Sequence, residues 1–335
     1  MKPGVIITFD AECSMGGAWQ DKSIKPVSPL KGMMGKFGRD FLGIPLICDI
    51  LKKNDLKATF FLEPFNEELG YKGETEKVCN YLMENSQDIQ LHIHPNHYHY
   101  GLYLQGQNFS FTDQMADLSP DEQVFLLKEG ASRIEKWTGI RPHAFRAGNL
   151  GASEQTLSCL PEAGLWMDSS YCFPFAGGQC LFSPEKPYNG SRWYGDVLEV
   201  SLSGFRQSFL PGLKKGKVLD LMGISFEECR DAVSEVCSSG ADAVVILHSF
   251  SLFKVKDKQY SRGKLNKIAV KRFEKFCRWL DNNREKFPVR TFAEFGDLVK
   301  YQGYKPQSVD PCLINNPARA FVRKSVQFAN NFYRF

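Results

Sequence analysis

Residues Asp88 to Tyr100 read DIQLHIHPNHYHY and hold His92, His94, His97 and His99, four of the six histidines in a 335-residue chain. Ile89, Leu91 and Ile93 alternate with Asp88, Gln90, His92 and His94, which is the period-two pattern of a strand. His92 and His94 therefore project to one side, and Leu91 and Ile93 to the other. Pro95 cannot donate to a sheet ladder, so the strand should stop there and leave both rings at its carboxyl end, where α/β folds place their sites. Neutral imidazole is a common nitrogen ligand for zinc and its relatives, and a cluster of this size points to metal binding rather than to a solvated loop.

Upstream, the apolar run Val5 to Phe9 ends in Asp10 and Glu12. It reads as a buried strand that delivers two carboxylates at its carboxyl end. Asp10 and Glu12 are two apart and share a face, as His92 and His94 do. One carboxylate and two imidazoles leave open positions for water and substrate, the arrangement of a catalytic rather than a structural metal site. The other carboxylate is then free to act as base.

Composition narrows the classes. With 43% hydrophobic and 24% charged residues the chain is an ordinary globular one. A net charge of +4 and the lack of an Arg-rich or aromatic RNA-binding motif argue against nucleic acid. The amino terminus reads as neither signal peptide nor membrane span, and a cytoplasmic location is the expectation. Ten cysteines without a CxxC pair read as buried thiols.

Further along, residues 13–38 form a loop without clear period that could act as a lid. Helical spacing covers Phe41 to Leu51 and Glu76 to Met83, with a strand at Ala58 to Leu62 between them. Ser119 and Glu122 form a capping box with Pro120 at the first helical position, which predicts a helix to about Trp137 ending near Gly139. Ser225 with Glu228 and Thr291 with Glu294 repeat the capping signal. Short apolar runs at 143–145, 165–167, 197–200, 244–247 and 289–290 alternate with these helices, so the fold expected is α/β, a mostly parallel sheet curled into a barrel or distorted barrel. We divide the chain into a barrel domain, 1–301, and a C-terminal extension, 302–335. In the extension Phe321, Val322, Val326, Phe328 and Phe332 alternate with Arg319, Arg323 and Lys324, a pattern for packing on its own domain or for peripheral contact with a membrane or protein.

The constellation resembles the polysaccharide deacetylases, carbohydrate esterase family four. Thr8, Phe9, Asp10 and Glu12 resemble the first motif of that family, and Leu91 to Pro95 an altered second motif. Pro142, Phe145, Arg146 and Gly148 resemble the third, and Asp168 with Ser169 and Ser170 the fourth. Leu247 and His248, after Val244 to Ile246, resemble the fifth. The five occur in the family's order between about Val5 and Ser249.

The resemblance implies a distorted (β/α) barrel, a divalent metal with zinc foremost, and hydrolysis of an N-acetyl group on a sugar. Position by position, it implies Asp10 as general base and Glu12, His92 and His94 as metal ligands. It further implies Arg146 as the group that holds the base, and His248 as the general acid that protonates the leaving amine. Asp168 either pairs with His248 or ends its strand. The departures are specific: Glu12 is longer than the usual aspartate, Arg146 is followed by Ala147 rather than proline, and Asn96 stands four residues after His92 where a histidine is usual. His97 could thus replace His94 as a ligand. Tyr98, Tyr100, Tyr103, Phe109, Phe111, Trp193 and Tyr194, expected in polar loops, could line a glycan groove. The basic run Lys254, Lys256, Lys258, Arg262 and Lys264 is either a solvated face or a seat for an acidic sugar. Two functions are expected from this reading. One is a metal-dependent deacetylase acting on an amino sugar in a cytoplasmic glycan precursor; the other is a lapsed enzyme kept as a carbohydrate-binding or assembly module.

Overall fold

The computed structural model describes residues 1–109, 111–210, 213–316, 320 and 323–325. Within them one sheet organises the molecule. Its parallel strands are β1 (Val5–Ala11), β2 (Thr59–Leu62), β3 (Asp88–Ile93), β4 (Ala144–Ala147) and β5 (Met167–Asp168). Next along the chain come β6 (Asn189–Tyr194), β7 (Val197–Val200), β8 (Ala243–His248), β9 (Val289–Arg290) and β10 (Ser308–Val309). The ladder runs β8-β1-β2-β3-β4-β5-β7-β6-β10, with β9 beside the start of β1. All pairings are parallel except β6 with β7 and β6 with β10.

Every residue of β1 is buried, as expected of a strand with a parallel neighbour on each side and apolar side chains on both faces. Phe9 stacks on Phe60 of β2 with ring centres 5.0 Å apart. The sheet curls into a half barrel. Its remaining seam, on the far side of β8, is bridged by irregular chain: Ser203 N donates to Val244 O at 3.1 Å, and Ile246 N donates to Leu219 O at 3.1 Å. Both bridging segments lie at the base of an antiparallel hairpin, Gly204–Leu210 with Leu213–Val218. This is the distorted barrel expected from the sequence.

The connecting helices are α1 (Ile44–Lys53), α2 (Glu74–Glu84), α3 (Pro95–Leu104), α4 (Pro120–Thr138), α5 (Glu154–Cys159), α6 (Phe226–Ser238), α7 (Lys267–Asp281) and α8 (Phe292–Tyr301). The boxes at Ser119, Ser225 and Thr291 cap α4, α6 and α8, and α4 ends on Gly139 in the left-handed region. Helix α3 differs from expectation. Pro95 terminates β3 and also begins a helix, because its missing N–H is no loss at the first helical position. Tyr98, Tyr100 and Tyr103 therefore lie on α3 and not in a polar loop, and Tyr100 is buried against Trp19 from the long loop. Helix α7, the hairpin and β6 have no counterpart in the sequence reading. The cap of α7 is Asn266, whose side chain accepts from Ala269 N, a signal outside the Ser/Thr-x-x-Glu pattern.

All ten cysteines are unpaired, nine of them buried and Cys312 partly so. Residues 308–309 of the C-terminal extension add the edge strand β10 to the sheet. Arg323 is buried and donates to Gln207 Oε1 at 2.9 Å. Arg319, Phe321, Val322, Val326, Phe328 and Phe332 lie outside the described residues. Among the described residues no helix is long and apolar enough to cross a membrane.

Candidate active site

The parallel register places the carboxyl ends of β1, β3, β4 and β8 side by side: Asp10 lies opposite His248, and His92 opposite Arg146. Glu12 follows β1 directly, and His94 is the cap residue between β3 and α3. Glu12 Oε2 is the centre of the cluster. It lies 2.6 Å from His94 Nε2 and 3.1 Å from His92 Nε2, and Glu12 Oε1 lies 3.8 Å from His248 Nε2. The three groups Glu12, His92 and His94 bring ligand atoms within 4.8 Å of one another.

Both rings are held by their other nitrogen. His92 Nδ1 meets Arg146 O at 2.9 Å, and His94 Nδ1 meets Asp113 Oδ1 at 3.0 Å. A carbonyl and a carboxylate oxygen can only accept, so each Nδ1 carries the proton and each Nε2 is turned toward Glu12. A carboxylate with two imidazoles oriented in this way has the chemistry of a divalent-cation seat, and the donor set fits such an ion. Burial raises Glu12's carboxyl, but His94 and His92 outweigh it and hold that group well below the usual range. Burial likewise depresses His94, yet Glu12 and Asp113 hold its imidazole well above its ordinary value.

Beside the cluster stands a buried ion pair. Arg146 Nη1 donates to Asp10 Oδ1 at 2.6 Å and to Thr8 Oγ1 at 3.1 Å. Its Nε and Nη2 donate to Ser169 O and Oγ, and the guanidinium lies 4.0 Å over the Phe61 ring. Arg146 is fully buried, and Asp10, 4% exposed, reaches the cavity wall while its salt bridge fixes its orientation. The cavity, about 220 Å³, is lined by Asp10, Glu12, His92, His94 and His248 together with Asp220 and a set of apolar groups.

Of the sequence candidates, Asp168 stands apart. Its oxygens accept from Ser170 N at 2.7 Å and Ser170 Oγ at 3.0 Å, and it does not line the cavity. It ends its strand, opposite the buried Glu199 in register; burial, with the Asp168 charge beside it, pushes the Glu199 carboxyl well up. The carboxylate that accompanies His248 in the cavity wall is Asp220, bridged to Ile246 in the seam. His97 lies behind His94, ring centres 5.6 Å apart, and is outside the three-residue cluster; burial pushes its imidazole down to about 3.

Four contributors lack a sequence signal of their own. Asp113 sits in a loop with no period. Glu63 is fully buried after β2, accepts from Phe65 N at 2.8 Å and from His94 N, and is pushed up to about 8 by burial. Asp220 follows a hairpin that the pattern did not reveal. Asn149 adopts φ +52° and donates to Asp113 Oδ2 at 2.6 Å. Its neighbour Leu150 also has positive φ, strain of a kind that collects at sites.

Neither a family model nor a curated protein matches the chain. Among solved structures, a Mycobacterium smegmatis protein assigned to the polysaccharide deacetylases aligns over 91% of this chain and 92% of its own, with a TM-score of 0.55 at 15% identity. The fold is that of a polysaccharide deacetylase. A family 4 carbohydrate esterase from Streptomyces lividans, in complex with acetate, aligns over 93% of this chain and all of its own at a TM-score of 0.45 and 11% identity. The 4-alpha-glucanotransferase of Thermococcus litoralis aligns over 94% of this chain and 42% of its own at 0.50 and 12% identity. The deacetylase fold thus has a structural relative named for a different reaction, so the donor set, and not the barrel, must carry any assignment of chemistry.

Proposed function

We propose that the protein is a metal-dependent hydrolase that removes the N-acetyl group from an amino sugar. The observation that carries this reading is the meeting, in one cavity, of the Glu12, His92 and His94 cluster with Asp10, which is braced by Arg146, and with His248. A divalent cation, zinc foremost, held by Glu12, His92 and His94 would polarise the amide carbonyl and lower the pKa of water beside it.

The chain's own residues supply the rest. Asp10 takes a proton from the attacking water, and the Arg146 salt bridge keeps that carboxylate aimed into the cavity. The water oxygen bonds to the carbonyl carbon. When the C–N bond breaks, His248 gives its proton to the departing amine, and the products are acetate and the free amino sugar. Asp220 lines the cavity wall beside His248. The retained set of acid, base and ligand side chains supports an enzyme over a lapsed binding module. Ten unpaired thiols favour a reducing compartment, hence a cytoplasmic glycan precursor as the substrate class.

Acetate release from a panel of N-acetylated amino sugars and sugar nucleotides, with zinc, cobalt or nickel supplied, tests the reading. Turnover that chelation abolishes, and that Asp10→Asn loses, is the expected result. A protein that takes up metal and releases no acetate from any of them would refute it.

A further inference from the structure

Residues Phe253 to Leu265 hold Lys254, Lys256, Lys258, Arg262 and Lys264 against the single acid Asp257. Their balance of +4 equals that of the whole chain, so all the other residues together sum to zero. The stretch folds as an antiparallel hairpin, Phe253–Val255 with Gly263–Leu265. Lys254 stands directly opposite Lys264, and beyond that pair Lys256 N donates to Arg262 O at 3.0 Å. Side chains alternate across a ladder, so Phe253, Val255 and Leu265 share one face and Lys254, Lys256, Arg262 and Lys264 the other. The apolar face is docked, with Phe253 buried against Phe37 at a ring distance of 5.4 Å. On the basic face Lys256, Arg262 and Lys264 are exposed and Lys254 is half-buried. Asp257 turns to its own loop, where it accepts from Gln259 N at 3.0 Å, from Ser261 N at 3.1 Å and from Ser261 Oγ. Two rungs thus set like charges opposite each other, an arrangement that costs stability on a ladder and that a plane of negative charge would reverse.

The hairpin stands at the rim of the active site. It begins just beyond His248, and Phe250 at its foot and Tyr260 in its turn line a second cavity, about 370 Å³, that Glu12 and His94 also line. None of the five cations lines either cavity among the described residues. A free phosphate would therefore meet only side chains on an open ribbon, with little of its surface enclosed. A charged plane meets all of them at once, and each Lys or Arg near an anionic bilayer adds to the attraction. We propose that the outer face of this hairpin docks the protein on the phosphate headgroups of an anionic membrane, with the carboxyl end of the barrel turned to the lipid surface. The docking rests on charge and placement alone; that the cavity then receives an amino sugar carried on a membrane lipid rests on the deacetylase reading.

The test is direct binding, independent of turnover. The full chain is sedimented with vesicles of phosphatidylcholine alone or with about one third phosphatidylglycerol. The parent should bind the anionic vesicles at least about tenfold more tightly than the neutral ones, and should leave them at about 1 M salt, where screening shortens the reach of charge to about 3 Å. The triple variant K256Q/R262Q/K264Q should bind about a hundredfold more weakly than the parent. K52Q/K53Q/K57Q removes the same charge at the end of α1 and the start of β2, at the opposite end of the barrel, and should bind within about threefold of the parent. Melting temperature checks that both variants fold, and the salt and neutral-vesicle arms need no variant. Equal binding to the two kinds of vesicle, binding that survives high salt, or equal losses in the two variants would overturn the proposal. So would tight binding of pyrophosphate by a parent that ignores vesicles. Vesicle binding with the expected pattern, and no acetate released from any substrate, would leave the docking face standing and remove the deacetylase reading instead.

Discussion

Replacing Asp113 by Ala removes the oxygen that accepts from His94 Nδ1 at 3.0 Å and, through its second oxygen, from Asn149 Nδ2 at 2.6 Å. The His94 ring then keeps Glu12 as its partner on the cluster side and has nothing to fix its tautomer or tilt on the other. Partners of this kind to a ligating imidazole are typically worth about 10–100-fold in metal affinity, or roughly 1.4–2.7 kcal/mol. The Asp113 side chain is 27% exposed, so its loss should change the stability of the fold by no more than about 1 kcal/mol. Asp113→Asn keeps an acceptor and removes the charge, and should fall between parent and Ala. Competition for zinc against a chromophoric chelator at fixed pH, with melting temperature as the control for folding, gives all three affinities. Zinc affinity within twofold of the parent in Asp113→Ala would mean that His94 is not held for metal binding by this contact.

Other substitutions separate the roles further. Asp10→Asn should leave zinc uptake unchanged and lower kcat by about 10²–10⁴, read from zinc titration and acetate release. Gly148→Ala would set a Cβ 2.5 Å from His94 Cγ; the ring must move, so zinc affinity should fall more than tenfold and stability by about 1–3 kcal/mol, seen in the same titration and in urea unfolding. Burial raises the Glu199 pKa in the fold, whereas in the unfolded chain the carboxyl ionises near its ordinary value, so the unfolded state binds fewer protons above that pH. The parent should therefore lose up to about 1.4 kcal/mol per pH unit as pH rises above about 4.5 toward the raised pKa of the folded state, whereas Glu199→Gln should lack that contribution. Denaturant unfolding at pH 5 and 7.5 compares the two, and equal slopes would exclude a raised Glu199 pKa in the fold.

Several elements could be read from sequence because each carries a local cause. The alternation Ile89, Leu91, Ile93 gives β3 its faces, and the Ser119, Ser225 and Thr291 boxes give three helix starts. Asp10, Glu12, His92 and His94 were legible as two pairs at a spacing of two, each at a strand end. What remained hidden depends on the far ends of the fold. Asp113 meets His94 from 19 residues further along the chain, beyond α3, and Asp220 reaches the cavity only because a hairpin base closes the seam beside β8. Asp168 looked like a site residue because, with Ser169 and Ser170, it resembles the fourth motif, but it stands in register with Phe145 and not with Arg146, and it does not line the cavity. Pro95 misled in a simpler way: one residue ends a strand and starts a helix, and only the first of those roles shows in the pattern.

The central claim is that Glu12, His92 and His94 together hold one divalent cation. Crystals grown with zinc and measured at the zinc absorption edge test it most directly. The account predicts a single strong anomalous peak in contact with Glu12 and with Nε2 of both histidines, and its disappearance in His92→Ala. A peak at other side chains, or none at saturating zinc, would contradict it.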